Sequence, residues 1–460
     1  MINIKSDSRK VKKGDIFIAL RGISSDGHDY IDKAIENGAS KLVVEEGEYN
    51  IPYETVSNTR DYLNKYLKEN YKKYLDSMTI IGITGTNGKT TSAYLIYQSL
   101  NKLGKKCAYI GTIGYYLDEK VCNLSNTSPD ICDIYDMIVN AYDYNYKYIV
   151  MEVSSQGLAY NRFNGIEFNY AIFTNLTEDH LDFHKTMDNY MHEKQKLFKQ
   201  CNGINITNID DSYSDYFKIN KYITYGFNDS NYQVIDYKLN NHSTIFTIKH
   251  NNNLIEIKSK LIGKYNIYNM LCAYIILDLL KIDTNDIINV LSSLNSPDGR
   301  MNTVKYKDNL VIIDYAHTED AMENIYNTVK ELGVNNIYTV FGCTGSRDRT
   351  KRPKMMNLAT TNSKYVIITS DDLHEEDFNH IVDDMLENNK HHNYEICENR
   401  GKAIKKGINL LKNNDILLIL GKGHEEFIII KNKKIPFNDL KEVNKILNEL
   451  TIQDKNKTLS

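Results

Sequence analysis

The stretch Gly82-Ile-Thr-Gly-Thr-Asn-Gly-Lys-Thr-Thr91 decides the fold of the chain. It follows the short apolar run Met78–Ile81 and precedes a helix-like segment, residues 92–104. A strand, a glycine-rich turn and a helix in this order direct converging backbone N–H groups and a helix N-terminus at an anion. The stretch therefore predicts a phosphate-binding loop. The alternative is a strand–helix turn that contains a lysine by chance.

The residue types in this loop match the needs of a bound nucleotide. Gly85 and Gly88 allow the tight turn, and Lys89 can reach the terminal phosphates. The hydroxyl of Thr90 is a suitable ligand for Mg²⁺. Because the flanking elements agree with this chemistry, we favour the nucleotide site over the chance turn.

The composition excludes several classes of protein. The 460 residues carry a net charge of -4, and no basic cluster indicates a nucleic-acid or anionic-membrane partner. No apolar run is long enough to span a bilayer, and the N-terminal segment lacks the apolar stretch of a secretory signal. Seven dispersed cysteines without a CxxC pair indicate reduced thiols. We expect a cytoplasmic monomer that neither binds nucleic acid nor inserts stably in a membrane.

Short apolar runs that end in glycine or polar residues recur in two parts of the chain. Separated by helical patterns, such runs are typical of buried parallel strands, whose carboxyl ends carry ligand sites. The runs are Ile80–Ile81, Tyr148–Val153, Tyr170–Phe173, Leu310–His317, Ile337–Gly342, Tyr365–Asp371 and Ile416–Gly421. Residues 220–262 instead predict an antiparallel meander, since Asn-rich turns divide four strand-like segments.

These patterns predict an α/β protein of three domains. We place a small N-terminal α/β domain at residues 1–76 and a central ATP-binding domain, with a parallel sheet and the meander, at residues 77–298. A C-terminal Rossmann-like α/β domain takes residues 299–460. The turn cluster Ser296-Pro-Asp-Gly299 marks the second boundary.

An ordered series of motifs carries a resemblance to a known family. The loop Gly85-Thr-Asn-Gly-Lys-Thr-Thr91 resembles the ATP loop of the Mur ligase superfamily. The other motifs follow in family order: Asp7-Ser-Arg9, Gly14-Asp-Ile-Phe17, Asp26-Gly-His28, Asn126-Thr-Ser-Pro129, Met151-Glu-Val-Ser-Ser155, Thr174–His184, Asp314-Tyr-Ala-His317, Lys351-Arg-Pro353 and Gly421-Lys-Gly-His-Glu425. Within the superfamily, the series is similar to the UDP-N-acetylmuramoyl-tripeptide synthetases.

The resemblance implies an ATP-dependent ligase of peptidoglycan precursor synthesis. Such an enzyme phosphorylates the carboxylate of UDP-N-acetylmuramoyl-L-alanyl-D-glutamate, and an amino acid then attacks the acyl phosphate. Both steps gather negative charge, so the site must be rich in cations. The N-terminal domain would bind the uridine nucleotide, and the C-terminal domain would bind the amino acid.

The resemblance also implies which residues bind ATP and Mg²⁺. Lys89, Glu152, His180 and Lys194 would be catalytic, with Thr90, Glu152, His180 and Lys194 as metal ligands. Lys194 would act as a carbamate (N6-carboxylysine) formed with CO₂, although Glu193 stands where the family has Ala. The ATP-binding set would be Gly85, Thr86, Asn87, Gly88, Lys89, Thr90, Thr91, Asn266, Asn269, Arg300, Asp314 and His317. Taken singly, a core or capping role is as good an interpretation of the two asparagines.

Two further sets follow from the resemblance. The UDP-muramoyl-dipeptide would contact Ser8, Asn126, Thr127, Ser128, Ser154, Ser155, Gln156 and Arg162. The amino acid would contact Arg347, Asp371, Asp372, His374, Gly421 and Glu425. Gln156 and Asn302 depart from the family's His and Glu.

The identity of the amino acid depends on one departure from the family. Family members that add meso-diaminopimelate carry Asp-Asn-Pro-Arg, whose Arg grips the distal carboxylate, whereas this chain has Asp371-Asp-Leu-His374. One imidazole does not replace a bidentate guanidinium. The sequence therefore predicts that diaminopimelate is not preferred. Lysine or ornithine is favoured, because Asp371 and Asp372 would attract an ammonium, and a small neutral residue stays open.

Two other functions compete with this prediction. One is a related ligase that extends folate with glutamate, a folylpolyglutamate synthase, which lacks the motifs at Asp7 and Asp26. The other is a catalytically weak binding or regulatory homologue, which the departures at Gln156, Glu193 and Asn302 would suit.

Overall fold

The structure is a computed structural model that describes residues 2–22, 25–240, 243–431 and 433–459, with side chains to residue 452. The first and last residues of the predicted domain ranges, 1 and 460, lie outside the described part. Two compact units make up the chain. One comprises Met1–Gly85, Ile96–Leu176 and Thr186–Tyr225, and the other comprises Thr86–Leu95, Thr177–Lys185 and Gly226–Ser460.

The N-terminal part of the first unit is a small, fully parallel sheet. Its strands run in the order β1-β2-β3-β4, and two helices accompany them. The elements are β1 (Ile4–Lys5), β2 (Ile16–Ile18), α1 (Ile31–Glu36), β3 (Lys41–Val44), β4 (Tyr53–Thr55) and α2 (Thr59–Asp76). In β2 and β3, Phe17, Ile18, Leu42, Val43 and Val44 are buried.

The central part of the chain contains a mainly parallel sheet and the meander. Its elements are β5 (Thr79–Thr84), α3 (Lys89–Lys102), β6 (Cys107–Gly111), β7 (Gly114–Tyr116), β8 (Lys120–Cys122), α4 (Ile131–Asp143), β9 (Tyr148–Glu152), α5 (Ser155–Ala159), β10 (Phe168–Phe173), α6 (Leu181–His184), α7 (Met187–Lys199), β11 (Cys201–Asn208), β12 (Tyr222–Gly226), β13 (Tyr232–Asn240), β14 (Ser243–His250), β15 (Asn253–Ser259), α8 (Lys264–Leu279) and α9 (Thr284–Ser292). In the first unit, β5 lies between β10 and β9, and all three are parallel.

The meander is shorter than the sequence predicts. Strands β13, β14 and β15 are antiparallel neighbours in the second unit. The segment Tyr222–Gly226, which we assigned to the meander, instead pairs in parallel with β11. That part of the prediction is wrong, because an alternating pattern does not reveal the direction of the neighbouring strand.

The C-terminal part of the second unit is a six-stranded sheet in the order β16-β17-β21-β18-β19-β20, parallel except for β16. Its elements are β16 (Asn302–Tyr306), β17 (Asn309–Asp314), α10 (Glu319–Glu331), β18 (Ile337–Phe341), α11 (Lys351–Asn362), β19 (Tyr365–Ile368), α12 (Phe378–Leu386), β20 (Tyr394–Ile396), α13 (Arg400–Leu410), β21 (Ile416–Leu420), β22 (Phe427–Ile430), β23 (Lys433–Pro436) and α14 (Asp439–Leu459). The four strands predicted here are confirmed.

Side chains of this C-terminal sheet fill a core on each face. Along β17, Ile312 packs with residues of α10, α11 and α12, whereas Val311 and Ile313 pack with residues of α13 and α14. This alternation explains why the strands read as continuous apolar runs: both faces are buried. Within the described residues, no helix is long and apolar enough to cross a membrane.

Candidate active site

The end of β5 leaves no space for a side chain at Gly85. This residue has φ +149°, and a Cβ atom placed on it would lie 1.9 Å from Thr174 Oγ1. The Thr174 hydroxyl donates to the carbonyl of Thr84, so the ends of β5 and β10 meet here. Only glycine fits this position, and the backbone can turn away from the strand into the loop.

The tip of the loop is joined to the segment that follows β10. Thr86 Oγ1 donates to the Thr177 carbonyl over 3.1 Å and accepts from the Thr177 N–H over 3.0 Å. The Lys89 ammonium, on the first residue of α3, donates to the Thr86 carbonyl over 2.8 Å. The predicted order of strand, glycine turn and helix is therefore confirmed.

Several basic side chains of the second unit lie near one carboxylate, Asp179. Burial raises the pKa of Asp179, but the neighbouring charges of His180, His317, Lys89 and Lys351 outweigh burial and leave the pKa below its usual value. The Asp179 carboxylate lies 3.4 Å from His180 Nε2. A cluster of four basic side chains around one acid suits a larger anion such as a phosphate chain.

Arg300 adds a fifth basic group at the same loop. Its Nη2 donates to Thr90 Oγ1 over 3.4 Å, and its guanidinium lies 4.7 Å from the centre of the Tyr315 ring. Its Nε is buried without a hydrogen-bond partner among the described residues. A buried, unpartnered guanidinium N–H is costly, so a bound acceptor such as a phosphate oxygen would relieve that cost.

Two residues predicted to bind ATP, Asp314 and His317, make several contacts inside the protein. Asp314 accepts the N–H groups of Met301 and Ala316, each over 2.7 Å, and burial raises its pKa against the opposing effect of Arg300 and these two bonds. His317 Nδ1 lies 2.9 Å from the Tyr315 carbonyl, and its pKa is lowered to about 4, chiefly by burial and then by Lys351. The imidazole is thus neutral at pH 7.

The two asparagines of α8 make contacts inside the protein. The Asn266 amide donates to the Ile262 carbonyl over 2.8 Å, and Asn269 donates to Asn266 over 3.0 Å. Asn269 also accepts from the hydroxyl of Ser92, one turn into α3, over 2.9 Å. These buried bonds agree with the core interpretation of the two residues, and their contact with ATP stays a prediction.

Glu152, in the first unit, is a buried carboxylate at the end of β9. It accepts hydrogen bonds from the Tyr109 hydroxyl, the Thr112 N–H over 2.8 Å and the Thr112 hydroxyl over 3.1 Å. The Thr112 hydroxyl also lies 3.0 Å from that of Thr127. These donors keep the carboxylate oxygens fixed, which suits a ligand of a hard cation.

Lys194 is fully buried on α7, and its side chain reaches Gly85 at the end of β5. Its Nζ donates to the Gly85 carbonyl over 2.7 Å and lies 4.5 Å from the centre of the Tyr190 ring. The neighbouring Glu193 is paired with Lys196 at 2.6 Å. The Glu193 carboxylate, which replaces the family's Ala, is therefore paired with a lysine on the same helix.

A cavity of about 820 Å³ in the first unit brings together three of the predicted substrate residues, Ser8, Asn126 and Arg162. Arg60 and Tyr160 also line it, and no motif identified them in the sequence. The Arg162 guanidinium donates to the Ser128 carbonyl over 2.6 Å.

Ser128 also supports the residues that follow β9. Its hydroxyl donates to the Glu152 carbonyl over 3.1 Å and accepts from Ser154 N–H over 3.0 Å. Ser154 in turn caps α5, which begins at the buried Ser155 and continues with the half-buried Gln156. Thr127, Ser128, Ser154, Ser155 and Gln156 are not among the residues that line the cavity.

The predicted amino-acid pocket contains a lysine that sequence reasoning missed. Lys422 is fully buried, and its ammonium lies 2.7 Å from Asp372, 2.6 Å from Glu425 and 3.8 Å from Asp371. Burial alone would lower the pKa of Lys422, but the three carboxylates raise it. The protein thus already supplies an ammonium to Asp371 and Asp372, which removes the free acidic field on which the lysine and ornithine prediction rested.

Gly421 is the residue that lets this cluster form. It has φ +109°, and a Cβ atom on it would lie 2.5 Å from Asp371 Oδ2. The three carboxylates have ligand atoms within 4.8 Å of one another. Burial raises the pKa of Glu425 to about 7, against the opposing effect of Lys422.

Two loops next to this cluster are fastened by a buried arginine. Arg352 is fully buried, donates to both oxygens of Glu376 over 2.7 and 2.8 Å, and donates to the Thr344 carbonyl over 3.1 Å. Glu376 also accepts the Ser346 N–H over 2.9 Å, which fixes the residue before the exposed Arg347. Hydrogen bonding from Arg352 holds the pKa of Glu376 at about 2.

His374 lies in the second of these loops. It has the left-handed φ of +51°, and its N–H donates to the Ile429 carbonyl over 3.0 Å. The imidazole is half-buried. The structure therefore brings Asp371, Asp372, Gly421 and Glu425 together and places Arg347 and His374 on the flanking loops.

The comparisons with known proteins cover almost the whole chain. Residues 2–82 match the family model described as "Mur ligase family, catalytic domain", residues 83–277 match "Mur ligase middle domain", and residues 299–423 match "Mur ligase, glutamate ligase domain". These three ranges agree with the three-domain architecture of the chain. Our boundaries at 76/77 and 298/299 stay a prediction.

Curated relatives carry one activity in their names. A UDP-N-acetylmuramoyl-L-alanyl-D-glutamate–2,6-diaminopimelate ligase of Clostridium botulinum is 39% identical over 97% of this chain and 95% of its own length. A protein of the same name from Aquifex aeolicus is 38% identical over 96% and 93%. A solved structure with this ligase name has a TM-score of 0.69 at 29% identity, covering 98% of this chain and 95% of its own.

More distant structures share the fold alone. The MurF ligase of Thermotoga maritima in complex with ADP has a TM-score of 0.68 at 19% identity, covering 97% of both chains. A folylpolyglutamate synthase of Mycobacterium tuberculosis has a TM-score of 0.66 at 14% identity, over 78% of this chain and 91% of its own.

The raised pKa of Glu425 predicts how stability depends on pH. A carboxyl whose pKa is about 7 in the folded state, against 4.5 as its ordinary value, stabilises fully below pH 4.5, and this contribution is lost as the pH rises to 7. Glu425→Gln removes the titration, so the difference in unfolding midpoint between wild type and variant should change between pH 5 and 7. Urea unfolding at several pH values measures it.

The matched control is Glu426→Gln, at the exposed neighbouring residue. That variant should follow the wild-type pH dependence. Equal pH dependence of wild type and Glu425→Gln would contradict the raised pKa of Glu425.

Proposed function

We propose, from the premise that the chain belongs to the Mur ligase family of ATP-dependent ligases, that it adds the third amino acid to UDP-N-acetylmuramoyl-L-alanyl-D-glutamate. The observation that carries the proposal is the group of basic side chains at the phosphate loop, Lys89, His180, His317, Lys351 and Arg300. The names of the relatives support the same substrate. The product would be a precursor of the peptidoglycan cell wall.

The reaction has two steps in this proposal. The glutamyl carboxylate attacks the γ-phosphorus of ATP, and ADP leaves with the electrons of the broken P–O bond. The amine of the amino acid then attacks the acyl phosphate, loses a proton and expels inorganic phosphate. Lys89 and Arg300 would balance the charge that develops on the transferred phosphoryl group.

Mg²⁺ fits the donors that the chain offers. The Thr90 hydroxyl and the fixed Glu152 carboxylate are hard oxygen ligands. The imidazole of His180 would supply a nitrogen ligand. When bound, the ion would neutralise phosphate oxygens. Lys194 as an ammonium would not be a metal ligand, since it has no lone pair to offer.

For Lys194 we therefore propose the carbamate. A buried ammonium is disfavoured relative to the neutral amine, and the neutral amine is the form that adds CO₂. The fully buried side chain against Gly85 supports this proposal, as does the pairing of Glu193 with Lys196. The carbamate would supply an anionic oxygen ligand where the lysine supplies none.

The proposed substrate-binding residues are divided between two pockets, one for each substrate. The UDP-muramoyl-dipeptide would occupy the 820 Å³ cavity with Ser8, Asn126 and Arg162, and Thr127, Ser128, Ser154, Ser155 and Gln156 would contact or support it near Glu152. Arg347 would bind the α-carboxylate of the amino acid, and Glu425 with Asp371 its α-amine. We also propose that the protein is cytoplasmic and acts as a monomer.

The third residue in this proposal is a diamino acid. The relatives are named for 2,6-diaminopimelate, which weighs against lysine and ornithine. His374, in place of the family's Arg, weighs against diaminopimelate, because the distal carboxylate would lose a bidentate partner. A second amino group is the feature that all three candidates share.

The nucleotide site is tested by Lys89→Ala. Removing this ammonium should lower kcat for ADP release about 10²- to 10³-fold, the usual effect of losing one preorganised charge-stabilising group. The assay contains UDP-muramoyl-dipeptide, ATP, Mg²⁺ and a diamino acid. Lys102→Ala, at the exposed far end of α3, should leave the rate unchanged.

Three outcomes would count against the proposed reaction. Unchanged turnover in Lys89→Ala would show that the loop does not contribute to catalysis. Turnover with a folate substrate and glutamate instead would favour the folylpolyglutamate alternative, whose fold is shared. No turnover by the wild-type protein with any amino acid would favour the binding or regulatory homologue.

The identity of the third residue is tested by His374→Arg. The new guanidinium can pair with a distal carboxylate, so the ratio of kcat/KM for meso-diaminopimelate to that for lysine should rise about 10-fold or more. Initial rates with diaminopimelate, lysine, ornithine, alanine and serine measure it. His380→Arg, on the exposed face of α12, is the control and should not change the ratio.

The wild-type ranking of the same five amino acids identifies the natural residue. Fastest turnover with alanine or serine would contradict a diamino acid.

The carbamate is tested by its dependence on CO₂. Protein kept in CO₂-free buffer should lose activity, and added bicarbonate should restore it, with a ¹³C carbamate resonance from labelled bicarbonate. Lys194→Arg should lack both the resonance and the restoration. Full activity without CO₂ and no resonance in the wild type would contradict the carbamate while leaving the ligase activity in place.

A further inference from the structure

One carboxylate at the phosphate loop has no role in the functions proposed above. Asp320 lies on the first turn of α10, and its Oδ2 accepts from the Asn87 amide over 2.6 Å. The same oxygen lies 3.4 Å from the Thr177 hydroxyl. Asp320 therefore contacts both the tip of the loop and the segment that follows β10.

These two segments are already bonded to each other. Thr86, next to Asn87, exchanges two hydrogen bonds with the backbone of Thr177. Asp320 closes a triangle in which each of three chain segments is bonded to the other two. Movement of α10 would therefore change the position of both loop segments.

The segment that leads into α10 contains two predicted nucleotide contacts. Asp314 ends β17, His317 follows, and the Thr318 hydroxyl caps the helix by accepting from the Ala321 N–H. Asp320 is six residues beyond Asp314 on this same segment. The predicted ATP contacts Asp314 and His317 are thus linked to the phosphate loop through one short stretch of chain.

The charge of Asp320 argues against direct contact with ATP. A carboxylate repels the triphosphate, and among the described residues no lysine, arginine or histidine forms an ion pair with it. Burial raises its pKa, and the bonds from Thr177 and Asn87 work in the opposite direction. Its bonding partners are the two loops, so its function is to hold them.

We propose that Asp320 is a positioning residue for ATP, which acts by holding Asn87 and thereby the backbone of the phosphate loop. The inference rests on the proposed ATP-binding role of that loop. A charge-assisted hydrogen bond fixes the Asn87 side chain, so that the adjoining N–H groups keep their direction toward the phosphates. Without it, the loop must be ordered by the nucleotide itself, which weakens binding.

The test measures nucleotide binding and steady-state kinetics on the full chain. Asp320→Ala should raise the Kd for ADP, measured by calorimetry without the other substrates, and the KM for ATP about 10-fold. The KM for the UDP-muramoyl-dipeptide should not change. Asp320→Asn, which keeps an acceptor oxygen, should restore both values to within about threefold of wild type. The control is Glu319→Ala, an exposed acid on the same turn.

A double-mutant cycle shows whether Asp320 acts through Asn87. Asn87→Ala alone should weaken binding as much as Asp320→Ala, and the double variant should be no weaker than either single variant. If Asp320→Ala does not fold, Asp320→Leu, which removes both acceptor oxygens and keeps a similar volume, replaces it in the same cycle with Asn87→Ala.

The outcomes separate this inference from the proposed function. Unchanged ADP binding in Asp320→Ala, or additive effects in the cycle, would overturn the positioning role while wild-type ADP binding still supported the ATP site. Failure of the wild-type protein to bind ADP would overturn the proposed function, and the positioning role with it.

Discussion

The lack of space at Gly85 is the constraint on which the rest of the site depends. Thr174 occupies the place where a side chain would begin, and Lys194 holds the carbonyl of the same residue. Gly85 therefore carries no side chain where the chain leaves β5, and the contacts with Thr174 and Lys194 fix the direction of the loop. The helix α3 can begin only four residues later, with Lys89 as its first residue. Every proposed contact with phosphate starts from this placement.

Charge is distributed unevenly between the phosphate loop and the predicted amino-acid pocket. Around the loop, basic side chains outnumber the two acids, Asp179 and Asp320, and the Nε of Arg300 is buried without a partner among the described residues. At the amino-acid pocket the balance is reversed, since three carboxylates share the single ammonium of Lys422. An anion suits the first arrangement and an amine suits the second. The two reactants of a ligase differ in this same way.

The sequence predicted the apolar strands of the C-terminal sheet, but it missed polar and short strands and the buried β6 (Cys107–Gly111). All four runs of the C-terminal sheet are strands, because residues buried on both faces leave an unbroken apolar signal. Strand β11 was missed because Asn205, Thr207 and Asn208 are polar. They are nevertheless buried, since each one hydrogen-bonds a backbone carbonyl of a neighbouring segment. Strands β1 and β4, of two and three residues, carry too little pattern to be detected.

The sequence likewise predicted some residues of the site and missed others. Motif residues such as Lys89, Glu152 and Lys194 could be found because their order along the chain is a signal in itself. The buried ion pairs of Lys422 and Arg352 and the contact of Asp320 with Asn87 could not be found, because they join residues that are far apart in sequence. The prediction that Asp371 and Asp372 carry unpaired negative charge failed for this reason, because Lys422, which pairs with Asp372, lies 50 residues away in the sequence.

The most direct test of the central claim is a crystal structure with a non-hydrolysable ATP analogue and Mg²⁺. The account predicts that the β- and γ-phosphates lie on the backbone N–H groups of the loop from Gly85 to Thr91. It also predicts a phosphate oxygen within hydrogen-bonding distance of Arg300 Nε. A triphosphate bound anywhere else, with the loop empty and Arg300 Nε still unpartnered, would contradict the account.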